Sequence, residues 1–116
     1  MRDAWKFCED WLPAWTGNHP QQLAEFYSED AFYLDPVVQV AGRENLLAYF
    51  CKLLGKNSEW IWQAVEVHPL DNGGFSLKWV CLNNNTQFYG MDIVVLDEDS
   101  KITRNEVYFN VASSSL

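Results

Sequence analysis

A chain of 116 residues, 48% hydrophobic and 16% aromatic with six Trp, has the length of one domain and the apolar mass for one core. Its formal net charge of −8, from 16 acidic and 8 basic residues, excludes the basic stripe that nucleic acid or an anionic membrane surface requires. No apolar run approaches the roughly 20 residues of a membrane span. The N-terminus Met1-Arg2-Asp3-Ala4-Trp5-Lys6 lacks the apolar stretch of a signal peptide, so a cytoplasmic location is expected.

Trp5, Cys8, Trp11, Leu12 and Trp15 recur at helical spacing between charged positions, which predicts an amphipathic first helix ending near Thr16-Gly17. Asn18-His19-Pro20 starts a second helix with Leu23, Phe26 and Tyr27 on its apolar side, closed by Ser28-Glu29-Asp30. Ala31 to Asp35 reads as a short aromatic strand, stopped by Pro36 and followed by a loop through Val37 to Ala41. Gly42-Arg43-Glu44-Asn45 opens a third helix with Leu46, Leu47, Phe50, Leu53 and Leu54 in period, ended by Gly55.

The remainder reads as sheet. Trp60 to His68 is a strand, Asp71-Asn72-Gly73-Gly74 a hairpin turn, and Phe75 to Leu82 an alternating strand. Asn83-Asn84-Asn85 turns the chain into Gln87 to Leu96, and Asp97 to Lys101 turns it again into Ile102 to Val111. Ala112 to Leu116 reads as a frayed tail. Cys8, Cys51 and Cys81 fall on three elements in apolar surroundings without metal-ligand spacing, and are expected to be buried small hydrophobes.

Helices followed by an antiparallel meander define an α+β arrangement. The strand Gln87 to Leu96 is apolar on both faces, with Tyr89, Met91, Ile93 and Val95 opposite Phe88, Val94 and Leu96. One face then meets the helices and the other a second copy of the chain, which predicts a homodimer through the outer sheet face.

The run Phe26-Tyr27-Ser28-Glu29-Asp30-Ala31-Phe32-Tyr33-Leu34-Asp35-Pro36, with Ala41-Gly42-Arg43-Glu44 opening a helix, resembles the nuclear-transport-factor-2-like superfamily, which includes the SnoaL-like cyclases and ketosteroid isomerases. The ending from Gly90 to Ile102, closing with Glu106-Val107-Tyr108-Phe109, is similar to that family's last hairpin. The resemblance implies a cystatin-like cone: three N-terminal helices on a strongly curved, mainly antiparallel sheet around one pocket. It also implies a single SnoaL-like domain over residues 1–116. The family's activities are too varied for the fold to select one.

On this resemblance Asp35 stands where ketosteroid isomerases carry a general base, and Asp92 where they keep a neutral carboxyl that donates to an oxyanion. Locally, Asp92 is the lone charge between Phe88 and Leu96, so it must find partners or a proton. A structural Asp bonded to backbone or to a Trp N–H is the alternative, and for Asp35 it is a turn residue before Pro. Trp11 falls where that set has an acidic tyrosine and Phe50 where it has a supporting one, while Tyr27 keeps a third. Tyr33, two residues before Asp35, offers a substitute donor. The resemblance turns Asn105, Val107 and Phe109 toward the pocket and Arg104, Glu106 and Tyr108 away. A slip of one residue would make Glu106 the pocket acid. Phe88 completes the expected ligand-binding set.

His19 and His68 each precede Pro and read as loop residues. No metal spacing, phosphate-cradling glycine loop or Gly-x-Ser-x-Gly elbow is found, so no metal and no cofactor are expected. The functional expectation is a small, apolar, oxygenated ligand and cofactor-free proton transfer of the isomerase, cyclase or dehydratase type. A non-catalytic binding or dimerisation module is the alternative, with epoxide-hydrolase-like hydrolysis as a further one.

Overall fold

Asp3 starts the first helix, α1 (Ala4–Trp11): its Oδ1 accepts from the backbone N–H groups of Trp5 at 2.8 Å and Lys6 at 3.2 Å. The computed structural model describes residues 3–71, 73–84 and 86–109. Pro13, which has no N–H to continue an α-helix, tightens the chain into a 3-10 turn over Leu12–Trp15. Pro20 then opens α2 (Pro20–Ala24).

That second helix is shorter than its periodicity predicts. Tyr27 to Asp30 belong to β1 (Tyr27–Leu34), because the Phe26 carbonyl and Tyr27 are captured by the start of the last strand. Tertiary pairing overrides local helical spacing here. Part of the expected Val37–Ala41 loop is likewise a short strand, β2 (Gln39–Ala41), antiparallel to β1.

Gly42, at φ 91°, takes a conformation that side chains resist and turns β2 into α3 (Arg43–Lys56). Leu46, Phe50 and Leu54 form its buried stripe. Gly55 does not end this helix. Asn57 does, donating from both backbone and side-chain nitrogens to the Leu53 carbonyl at 3.1 and 3.0 Å.

Four further strands follow among the described residues: β3 (Ile61–Pro69), β4 (Gly74–Asn83), β5 (Thr86–Leu96) and β6 (Ile102–Tyr108). The described sheet has the order β2-β1-β6-β5-β4-β3, with β1 and β6 parallel and the other neighbours antiparallel. This is the expected α+β cone, a curved mixed sheet with helices against its inner face. Extra residues in β1, β3 and β6 break the register locally and add bend. The expected extension to Val111 and the tail beyond it lie outside the described residues, as do Asn72 and Asn85 of the two turns.

Inner-face side chains alternate with outer ones along each strand, so Phe75, Leu77, Val94 and Ile102 pack against Phe7, Trp11 and Leu23. Cys8 and Cys81 are buried, and burial pushes both thiols up to about 12. Cys51 is exposed, contrary to expectation, because it lies on α3 off the 46–50–54 stripe.

Gly90 stands opposite Trp79, whose ring lies across it, and a β-carbon there would overlap that ring. Gly90→Val should therefore cost about 1–3 kcal/mol in urea unfolding through overpacking. Helical Gly55 has open space around its missing side chain, and Gly55→Ala should stabilise by up to about 1 kcal/mol in the same assay. Equal effects at the two sites would contradict this account of Gly90.

Candidate functional site

The sheet's inner face and the helices enclose a cavity of about 370 Å³. The 3-10 turn contributes Leu12 and Trp15, α3 contributes Tyr49 and Leu53, and Asn57 joins from the cap just past that helix. Tyr49 and Leu53 lie beside the buried stripe of α3, so the same helical period that fills the core aims a second row at the cavity. From the sheet come Trp62 on β3, Trp79 on β4, Phe88 and Asp92 on β5, and Val107 on β6. Trp60 and Phe109 close the wall from just beyond the strand ends, and Tyr33, Asp35, Val37 and Val38 form the β1 side.

Of the residues singled out in the sequence, Asp35, Asp92, Tyr33, Phe88, Val107 and Phe109 line this cavity. Trp11, Tyr27, Phe50 and Asn105 are fully buried behind the wall. Asn105 does face inward and Glu106 outward, so the inner set on β6 is Asn105 and Val107. Outside, Glu106 accepts from Tyr108 at 2.7 Å and Arg104 at 2.9 Å, and these bonds hold its carboxyl below its usual range.

Asp35 is saturated with donors. Its Oδ1 accepts the backbone N–H groups of Val37 and Val38, both at 2.8 Å, closing the turn after β1. Its Oδ2 accepts the hydroxyls of Tyr33 at 2.9 Å and Tyr49 at 3.0 Å. These four donors occupy the roughly four acceptor sites of a carboxylate. Burial and then neighbouring charge push both phenols up, Tyr49 to about 12, so they remain donors at neutral pH.

Asp92 is built differently. Its Oδ1 accepts the indole N–H of Trp79 at 2.7 Å and its Oδ2 accepts the Asn105 amide at 3.0 Å. The Asn105 oxygen in turn accepts the Tyr27 hydroxyl at 2.7 Å, so the chain of bonds is set from the core side. Burial pushes the Asp92 carboxyl up to about 6, against the pull of these two donors and with a further push from Asp35. Burial and the Asp92 charge also raise the Tyr27 phenol well above its ordinary range. The nearby Trp11 N–H counters that in part without forming a hydrogen bond.

Sequence reasoning passed over Tyr49 and Trp62 and offered a Trp N–H as an alternative partner for Asp92 without saying which; it is Trp79. Tyr49 had a signal: it lies three residues after Leu46 and four before Leu53, on the inward side of α3. Trp60 and Trp62 share a strand face by simple alternation. The Trp79–Asp92 bond needs the hairpin register, in which Trp79 is opposite Gly90 and Asp92 is its diagonal neighbour.

A curved mixed sheet closed by helices over a lined cavity defines the class of cone-shaped α+β domains. The family model described as the SnoaL-like domain matches residues 8–105, and the chain belongs to that family. It is similar in structure to a SnoaL-like protein of unknown function from Burkholderia thailandensis, with TM-score 0.81, 11% identity, and 92% of this chain and 94% of that one covered. A proposed isomerase of the SnoaL-like family from Agrobacterium tumefaciens gives TM-score 0.79 and 16% identity, covering 95% and 99%. A hypothetical protein with a ketosteroid isomerase-like fold from Catenulispora acidiphila, solved in complex with trimethylamine, gives 0.78 and 17%, covering 93% and 88%. These identities speak to the fold. No curated protein matches the chain. Among the described residues no group of His, Cys, Asp and Glu could hold a metal ion, and no helix is long and apolar enough to cross a membrane.

The state of Asp92 has a measurable consequence. Its folded value, about 6, exceeds its ordinary value of 3.8, so it favours folding fully below about pH 4 and loses that contribution as pH rises through 6. The amount is on the order of 3 kcal/mol. Unfolding free energies of the wild type and Asp92→Asn, compared from about pH 4 to about pH 7, should differ by a quantity that falls with rising pH. A constant difference would mean the carboxyl titrates normally.

Proposed function

We propose that the cavity binds a small, largely apolar molecule bearing one polar group, and that Asp92 exchanges a proton with that group without a cofactor. The observation that carries this reading is a carboxyl 4% exposed, on the wall of an aromatic cavity, poised at about 6. A group poised near neutrality both gives and takes protons at useful rates. Asp35 was the base expected from the resemblance. Its four internal donors make it the less available carboxylate, since a substrate hydrogen would have to displace one of them.

The supports are the cavity's size, which falls at the small-molecule end of ligand sites, and its ring-lined wall. The isomerase proposal attached to the Agrobacterium relative and the small amine held by the Catenulispora protein agree with a compact ligand. A non-catalytic binding module of the same fold is the second reading, favoured by the saturation of Asp35. An epoxide-hydrolase-like role for Glu106 has no support in its outward position. Free thiols at Cys8, Cys51 and Cys81 accord with a cytoplasmic location.

Deuterium incorporation offers a test that needs no named substrate. Small ketones, lactones and amines incubated with the protein in D2O should exchange a carbon-bound hydrogen faster, by mass spectrometry, than without it. Asp92→Asn should lose about 100-fold or more of that acceleration, and Asp35→Asn less. Dependence on Asp35 alone would reverse the assignment, and no acceleration across the panel would favour the binding module.

The same reading includes a homodimer. Ile61, Tyr89, Met91 and Tyr108 are exposed large apolar side chains on the outer face of β3, β5 and β6. Sedimentation should give a dimer for the wild type and a monomer for Met91→Glu; a wild-type monomer at high concentration would refute this part.

A further inference from the structure

The charge and ring content of the cavity wall point past "small and apolar" to a sign. The charged side chains in the described wall are Asp35 and Asp92, both acidic, and no Lys, Arg or His accompanies them. Guanidinium stacking does occur in this protein, at Arg104 over Phe32, but Arg104 belongs to the outer face. The two acids thus share the cavity wall without a cation of the protein's own among its lining residues.

The rings around them are set as corners rather than stacks. Trp62 meets Trp79 at 75° and 4.9 Å between centroids, and Phe88 meets Trp60 at 76° and Trp79 at 81°. Trp15 joins Trp62 from the helix side at 57°. Near-perpendicular rings turn their faces in several directions along the wall, and a ring face attracts positive charge. Asp92 also keeps spare capacity as an acceptor. The Tyr33, Tyr49 and Trp79 hydrogens are already donated, all to the two carboxylates, and each oxygen of Asp92 accepts a single hydrogen bond.

We propose that this cavity is a site for an organic cation, an alkyl- or arylalkylammonium group seated among Trp60, Trp62, Trp79 and Phe88 with Asp92 as its counter-charge. The proposal rests on the reading of the cavity as a small-molecule site and is independent of proton transfer there. It assigns the polar group of the ligand a positive charge, and it assigns Asp35 a supporting field from the same wall. An anionic ligand is disfavoured by the same two carboxylates, and an uncharged one gains from the rings but brings Asp92 no counter-charge.

The test uses the full chain and three probes of like size: benzyltrimethylammonium, its uncharged carbon isostere 2,2-dimethylpropylbenzene, and phenylacetate. Binding is followed by NMR shifts of the indole N–H signals of Trp62 and Trp79. At about pH 7.5 the cation should bind about tenfold or more tighter than the isostere, with phenylacetate weakest. Asp92→Asn should remove most of that preference. Lowering the pH to about 5 should do so in the wild type, which keeps the test valid should the variant not fold.

The titratable groups facing Asp92 in that range are Cys8 on α1, Tyr27 and Tyr33 on β1, and Asp35. Burial keeps the thiol and phenols protonated throughout. Trp79 and Asn105, on β4 and β6, do not titrate. An isostere or anion that binds as well as the cation overturns the proposal and leaves the small-molecule site standing. So does a cation preference indifferent to both pH and Asp92→Asn. Failure of all three probes to move the indole signals would overturn both readings together.

Discussion

A carboxyl group withdrawn from water needs donors, a counter-charge or a proton, and Asp92 is held by donors recruited from two other strands. Trp79 on β4, Asp92 on β5, Asn105 on β6 and Tyr27 on β1 form one hydrogen-bonded chain across the middle of the sheet. It crosses the parallel junction of β1 with β6 as well as the two antiparallel ones. A one-residue slip at any of these ladders would turn a member of the chain to the outer face and strand its partner unpaired in the core. The polar chain therefore fixes register, which a uniformly apolar inner face would leave less specified.

The same chain explains how rings and an acid share one cavity. Gly90 leaves room for the Trp79 ring to lie across the strand, and that placement brings its N–H to the Asp92 oxygen. The remaining rings then pack edge to face against Trp79, through Trp62 and Phe88. Asn105 turns its oxygen to Tyr27 and its amide to Asp92, so the buried phenol sets which end of the amide reaches the acid. Each step removes an orientational choice, and the cavity shape follows from the polar pairing rather than preceding it.

Much of the fold was readable from pattern alone. The 46–50–54 stripe of α3, the alternation on β4 and β5, and the lone charge at Asp92 are local signals, and the structure places them as expected. The misreadings occur where partners distant in sequence decide. Tyr27 has helical spacing with Leu23, yet pairing with Ile102 makes it a strand residue. Asp35 before Pro36 was legible as a turn or a base, but the two phenols that fill its Oδ2 come from β1 and α3, and Tyr49 reaches it only through tertiary packing. Trp11 and Phe50, matched by resemblance to ligand-binding positions, fall behind the wall because Trp15 and Tyr49 occupy the layer in front.

The two carboxylates show how environment divides chemically equal groups. Asp35 is half-buried, and its four donors are supplied by a turn and two phenols; it closes the end of β1 whether or not a ligand is present. Asp92 has two donors and almost no water, so its charge is the less well compensated, and it rises to about 6. A ligand that brings positive charge, or that accepts a proton, relieves Asp92 and has little to offer Asp35. Asp92 is therefore the carboxylate whose surroundings a ligand can change more, while Asp35 is committed to the turn and the two phenols that it holds in the wall.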